Sequence, residues 1–365
     1  WGNNSNGQLG DGTTTTRYEP APVSGIANAI ALSAGENFTC ALIQGGTIKC
    51  WGYNGYGQLG DNSTAQKTTP VAVSGITTAV AVSAGQFHTC ARLADGTVKC
   101  WGRNTWGQLG DNTVTQRSTP VTVLGIGGVS GISAGATSTC ALLANGEAMC
   151  WGDNTSGQLG NGNTASLVPV STAGITSGLE VAVGTDNDYG CALLSNGTAK
   201  CWGLNTNGQL GDNTVTTRNT PVVVSGLANA VDIGTYAVHS CAVLADGSSK
   251  CWGDNTSGEI GDGTNVNRLT PATVSGISTA VTVAPGYRHT CALLADSTVK
   301  CWGDGSNGGL GNLLTSNSNV PVDVYGFPCG GGSSASCGAC VPTTCLAQGV
   351  SSGSIAGVEV LILHL

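Results

Sequence analysis

Apolar residues in this chain come in short runs rich in Val, Ile and Ala, separated by clusters of Gly, Asn, Asp, Ser and Thr. β-Branched runs bounded by turn residues are the pattern of β-strands. No stretch sustains an apolar period of 3.6 residues, so helix is expected to be near zero. Residues 79–123 show the arrangement. Ala79–Ser83 reads as a first strand (A) and Thr89–Leu93 as a second (B). A turn at Asp95-Gly96 leads into a third, Thr97–Trp101 (C), and after a polar loop a fourth follows at Pro120–Val123 (D).

A Trp-Gly pair recurs at Trp1, Trp51, Trp101, Trp151, Trp202, Trp252 and Trp302, a spacing of 50 residues with a single 51. Four strands repeated at this period predict an all-β fold, a seven-bladed β-propeller of four-stranded blades. It is expected to span residues 1–328, followed by a Cys-, Gly- and Ser-rich tail at 329–365. Six units are complete and the seventh reads as split. Val320–Val324 is taken as its D strand and Trp1-Gly2 as the end of its C strand, with its A and B strands missing. Residues before Trp1 are expected to have completed that blade, or the tail substitutes for them.

Twelve of the 16 cysteines form pairs ten residues apart. Cys40 pairs in this way with Cys50, Cys90 with Cys100, Cys140 with Cys150, Cys191 with Cys201, Cys241 with Cys251 and Cys291 with Cys301. Between Leu93 and Thr97 stand Ala94-Asp95-Gly96, a three-residue hairpin loop with Gly where the chain turns left-handed. That loop sets 93 opposite 97, so 90 faces 100. A non-hydrogen-bonded antiparallel pair brings Cα atoms to about 4.5 Å, within reach of a disulfide. Six B–C disulfides are therefore expected. Zinc is the rival, but the spacing is not a zinc-knuckle spacing and no co-ligands recur beside it. Persistent disulfides point to an extracellular or cell-surface location. In the tail, Cys329, Cys337, Cys340 and Cys345 suggest two further bridges rather than a metal, with connectivity open.

Charge narrows the function. The net charge is −8, the pI is near 4.8, and ten of the 13 basic residues fall at repeat positions. A protein that binds phosphate backbones needs a basic footprint, so no nucleic-acid partner is expected. No apolar run approaches the roughly 18 residues of a membrane span, so no membrane insertion is expected. G-x-S-x-G, H-E-x-x-H and P-loop signatures are lacking, which argues against an enzyme and implies no cofactor. His88, His239 and His289 share one repeat position; a structural role is favoured over a metal. Asp11, Asp61, Asp111, Asp212 and Asp262 do not match a calcium-loop spacing and read as Asx turns. Glu180, Asp186 and Asp188 read as a solvated insertion. Asn-x-Ser/Thr sequons at Asn3, Asn37, Asn62, Asn154, Asn196 and Asn255 are expected by chance in such a composition.

Trp101-Gly102, Asn104 and Gly107-Gln108-Leu109-Gly110, with Gly85, His88 and Ala91, carry a pattern that resembles the regulator of chromosome condensation repeat, at one register over residues 1–327. The resemblance implies a seven-bladed propeller but no single function. The founding member's nuclear role, nucleotide exchange on a small GTPase with chromatin binding, fits neither the charge nor the disulfides. Secreted bacterial propellers of the family, β-lactamase-inhibitory proteins among them, are the nearer likeness, but inhibition does not carry over.

In such a blade the A–B and C–D loops emerge on one face, and there the sequence varies between repeats. Phe38, Tyr53, Tyr56, Phe87, Arg103, Trp106, Tyr189, Tyr236, Tyr287 and Arg288 fall in these loops. Trp, Tyr and Arg are the residues of interface hot spots. The chain thus reads as a non-enzymatic platform for an extracellular protein or glycan. The alternative is a structural module of an adhesin or assembly, with the strand-like Val358–Leu363 completing a blade in cis or in trans. A lyase or hydrolase in the central channel is the third reading.

Overall fold

The computed structural model describes residues 1–326, apart from residues 163 and 187. It holds six antiparallel sheets, each of four strands joined in sequence order. Blade 2 consists of Ala79–Ala84 (A), His88–Leu93 (B), Val98–Gly102 (C) and Arg117–Thr122 (D). The A strands of successive blades touch one another, which places them around the axis of an all-β propeller, with the D strands outermost. Among the described residues there is no α-helix, only a short 3-10 turn at Ser306–Gly308.

The hairpin arithmetic sets the register. Leu93 N donates to Thr97 O at 2.9 Å, Gly96 turns at φ +78°, and Cys90 lies opposite Cys100. All six expected B–C disulfides are formed. Cys40 is bonded to Cys50, Cys90 to Cys100 and Cys140 to Cys150. Cys191 is bonded to Cys201, Cys241 to Cys251 and Cys291 to Cys301. Their Cα–Cα distances are 4.0–4.1 Å, and all twelve cysteines are fully buried. The D strand begins three residues earlier than its apolar run, because Arg117 pairs with Gly102. Pro120 is tolerated within it since D is an edge strand.

The hydrophobic core lies in the seams between blades. Trp101 is fully buried and packs with Phe38, Leu42, Ile48 and Leu59 of blade 1 and its C–D loop, and with Val82 and Ala91 of its own blade. Each such seam removes large apolar surfaces from water, which is what holds a ring of otherwise separate sheets together.

The end of the ring differs from expectation. Residues 318–323 do not belong to a split seventh blade. They pair with Val299–Gly303, Cys301 opposite Val322, and complete blade 6. A D strand pairs with the C strand that precedes it, so the period starting at Trp302 closes its own blade. A complete seventh blade is not present among the described residues. What stands between blades 6 and 1 is the N-terminal segment, whose one bridge joins Gly2 to Arg17 with bonds of 2.6 and 2.9 Å. Trp1 packs into blade 6 with Val299, Leu310 and Val324, and its Nε1 donates to Gly309 O. On the other side, Trp51 Nε1 donates to Gln8 O at 2.9 Å. Among the described residues, packing and hydrogen bonds rather than a disulfide join this segment to blades 6 and 1. The cost shows in blade 1, where Ala29 is exposed and Leu32 half-buried; their counterparts Ala79 and Val82 are buried under a preceding blade. The expected tail domain, its four cysteines and the strand at 358–363 lie outside the described residues.

The face of B–C turns carries an apolar collar. The second residue of each A strand is bulged out of the ladder, as Val80 is between Ala79 and Ala81. Ile30, Val80, Leu179, Val231 and Val281 occupy this position and are exposed.

Candidate binding face

The C–D loops are wired by their own side chains. Asn104 Oδ1 accepts from Leu109 N at 3.0 Å, while its amide reaches Asp111 Oδ1, Thr113 O and Thr115 O. Asp111 Oδ1 accepts from Thr113 N and Oγ1, an Asx turn, and its other oxygen holds Arg117 at 2.9 Å. Burial pushes the Asp111 carboxyl up, but the bonds from Thr113, Arg117 and Asn104 outweigh it and hold it below the usual range. Arg17, Lys67, Arg218 and Arg268 pair with the equivalent aspartates. These oxygens are occupied by the loop itself.

Each loop is then clasped to the next blade. Thr89 Oγ1 and Trp101 Nε1 both donate to Gln58 O, each at 2.9 Å. The histidines sit behind the clasp. His88 Nε2 lies 2.8 Å from Thr139 Oγ1, and His239 Nε2 lies 2.8 Å from Thr290 Oγ1. Burial pushes His88 down to about 3 and His289 down to about 4, so both are neutral near pH 7. Phe38 and Tyr189 fill the same slot in blades 1 and 4, and both are buried. Tyr189 uses its hydroxyl to donate to His239 O at 2.6 Å.

Burial divides the expected aromatic surface. Phe38 (1% exposed) and Tyr189 (0%) are interior residues, so Phe38 leaves the docking set; Tyr236 (7%) is buried as well but borders the cavity where the A–B tips converge. A slot between two packed blades takes the ring that an isolated loop tip would have shown to water. The others gather on the loop face. Tyr53, Tyr56 and Phe87 pack with ring centroids 5.1–6.3 Å apart. The Arg103 guanidinium lies 5.5 Å from the Tyr56 centroid and 5.9 Å from that of Phe87. Trp106 is 43% exposed on the same loop as Arg103. Tyr287 is also exposed, with Arg288 over its ring at 5.8 Å.

Comparison with known proteins fits this geometry. Models of the regulator of chromosome condensation (RCC1) repeat match residues 1–42, 46–92, 95–142, 196–243 and 251–293, and a second set at 29–58, 79–108, 129–158, 180–209, 230–259 and 280–308. The chain belongs to the RCC1 repeat family. No curated protein sequence matches it. Among solved structures it is similar to human WBSCR16, with 21% identity over 85% of this chain and 84% of that one, TM-score 0.76. It is also similar to yeast RCC1 (Prp20) bound to Kap60, with 21% identity over 89% and 82% of the chains, TM-score 0.80. Prp20p from Saccharomyces cerevisiae solved in another study gives 22% identity over 89% and 85%, TM-score 0.79. These likenesses establish the RCC1 fold.

Within this RCC1 propeller Glu180, Asp186 and Asp188 of blade 4 are not a solvated insertion. Ser33, Ser83 and Ser133 each cap a backbone amide of the next A strand. Blade 4 has Ala182 at that position, and Glu180 accepts from Ile233 N at 3.2 Å instead. Blade 5 has Gly234 there, and Asp232 accepts from Val283 N at 2.9 Å. Asp188 accepts from Thr137 Oγ1 at 2.7 Å. Asp186 accepts from Gln86 Nε2 at 3.1 Å, a bond between blades 2 and 4 over the channel axis. It lies at a cavity of about 280 Å³ where the A–B tips converge, lined by Glu36, Asp186, Tyr236, Tyr287 and Arg288 among others. Nothing in the linear sequence couples positions a hundred residues apart. Only the equal repeat register of the A–B tips hints that they meet.

Proposed function

We propose that this RCC1 propeller is a non-enzymatic platform for an extracellular protein, displayed or secreted, which docks on the A–B and C–D loop face. The observation that carries the reading is the cluster of Tyr53, Tyr56, Phe87 and Arg103 beside the exposed Trp106. Its backbone is the same self-satisfied loop found in blades 1 to 5, so these side chains are not needed to hold the loop. Large rings and Arg in a half-exposed patch are what hot spots are made of. Yeast Prp20, a propeller of the same fold, has been solved bound to a protein, Kap60. RCC1-like repeats are typically binding or exchange-factor domains rather than enzymes, and six disulfides suit an oxidising exterior.

The test is a partner captured from the native extracellular milieu and titrated against variants. Tyr56→Ala, Arg103→Ala and Trp106→Ala should each weaken binding by roughly 1–3 kcal/mol with the melting temperature unchanged. Unchanged affinity with a lowered melting temperature makes the patch loop packing alone.

A second reading has one observation in its favour. Among the described residues, Ala29 and Leu32 of the blade 1 A strand are more exposed than their buried counterparts Ala79 and Val82. Strand addition there, by residues 358–363 of the same chain or of a second copy, makes the protein a module of an assembly. Val360→Asp with Ile362→Asp should then abolish concentration-dependent association in size-exclusion chromatography. A monomer at all concentrations eliminates the trans form.

A further inference from the structure

The channel mouth holds an electrostatic imbalance that the fold does not resolve. Glu36 of blade 1 and Asp186 of blade 4 share one neutral donor, the amide of Gln86. Among the described residues neither carboxylate makes an ion pair. Burial pushes both carboxyls up, and for Glu36 the neighbouring Asp186 adds to it. Arg288, the basic residue of the cavity lining, is directed elsewhere: it lies over the Tyr287 ring at 5.8 Å and acts on Glu259. Tyr236 is within interaction range of Glu36, Asp186 and Tyr287 together. Three carboxylates, those of Glu36, Asp186 and Asp304, and two phenol rings therefore line one cavity of about 280 Å³, open at the loop face.

We propose that this cavity receives a basic side chain, a lysine or arginine of the docking protein, seated between Glu36 and Asp186 against Tyr236 and Tyr287. The inference rests on the platform reading and names the chemistry of its partner. A cation between two like charges removes their repulsion and offsets their desolvation. Aromatic faces add to the attraction of a partly desolvated ammonium or guanidinium. An anionic guest meets repulsion. A neutral apolar guest strips water from the carboxylates and returns nothing. The volume admits one extended side chain rather than a folded ligand, and a chain of net charge −8 steers a cation toward it.

The test is an anisotropy titration of the full chain, at low ionic strength, with fluorescently labelled Gly-Gly-Arg-Gly-Gly and its citrulline twin. Citrulline keeps the shape and lacks the charge. The arginine peptide should bind at least tenfold more tightly, and Glu36→Gln with Asp186→Asn should erase that preference. Glu19→Gln with Glu147→Gln makes the same change of net charge at exposed sites outside the cavity and should keep it. Because Asp186 also holds Gln86, Tyr287→Ala serves as a second variant that leaves the interior untouched; it should weaken the arginine peptide severalfold and the citrulline peptide not at all. Equal binding of the two peptides, or an equal loss in the control that changes Glu19 and Glu147, overturns the proposal. If the arginine peptide is ignored while a captured partner still depends on Tyr56, Arg103 and Trp106, this inference falls and the platform reading stands.

Discussion

Trp101 Nε1 donates to the carbonyl oxygen of Gln58 across the seam between blades 1 and 2, at 2.9 Å. The same bond joins Trp51 to Gln8, Trp151 to Gln108, Trp202 to Gln158, Trp252 to Gln209 and Trp302 to Glu259. One residue type thus fills the seam with its ring and fixes the angle between sheets with its single donor.

Replacing Trp101 separates these two roles. Trp101→Phe keeps most of the ring and loses the donor, leaving Gln58 O with Thr89 alone. It should destabilise by about 1–2 kcal/mol. Trp101→Ala empties the seam and should cost about 3–5 kcal/mol. Equilibrium denaturation of both variants checks the difference; a Trp101→Phe loss near zero would mean that the indole N–H contributes nothing, and equal losses would mean that the ring contributes nothing beyond it.

Non-reducing peptide mapping should return Cys90 linked to Cys100, and the same link from Cys40 to Cys50, Cys140 to Cys150, Cys191 to Cys201, Cys241 to Cys251 and Cys291 to Cys301. Each bridge closes a short loop, worth about 2–3 kcal/mol in the chain-entropy model. Mild reduction should lower the melting temperature and leave the far-UV β signal, because the seams, not the bridges, bury most apolar surface. Loss of that signal on reduction at room temperature would contradict the seam-based account.

His88 gives a pH signature. Its folded pKa, about 3, is below the ordinary value of 6.5, so between these limits the unfolded chain binds the proton and the folded chain does not. Stability then rises with pH in that window, is complete above about 6.5, and is lost on acidification. His88→Phe, which copies Phe38 in the same slot of blade 1, should flatten the stability profile between about pH 6.5 and 4 relative to the parent. Identical slopes in thermal melts across that range would show that His88 is not held neutral.

Gly102 turns at φ +107°, and a Cβ there would stand 2.5 Å from Phe87 O and 2.7 Å from His88 Cα. Gly102→Ala therefore meets both backbone strain and a collision. It should destabilise by at least about 1–3 kcal/mol. Gly125→Ala, also at positive φ but with open space around it, should cost less. Urea denaturation of the pair compares strain with strain plus contact.

The sequence alone determined whatever a single repeat can enforce. Four-strand order, the B–C hairpin and the pairing of Cys90 with Cys100 follow from local turn chemistry and period-two alternation, which need no distant partner. The Asx turn at Asp111 is equally local. What lay between blades was decided only by tertiary structure. Phe38 and Tyr236 sit at loop tips by position, yet packing of the neighbouring blade buries them. Glu180 reads as solvated in the sequence and is an acceptor for Ile233 N, fifty-three residues on. The assignment of residues 318–323 to blade 6 turned on which C strand they pair with, and a repeat read in either phase gives the same text. Gln86 and Asp186 meet because the ring brings equal loops to one axis, a relation that depends on the curvature of the whole array and on no local signal.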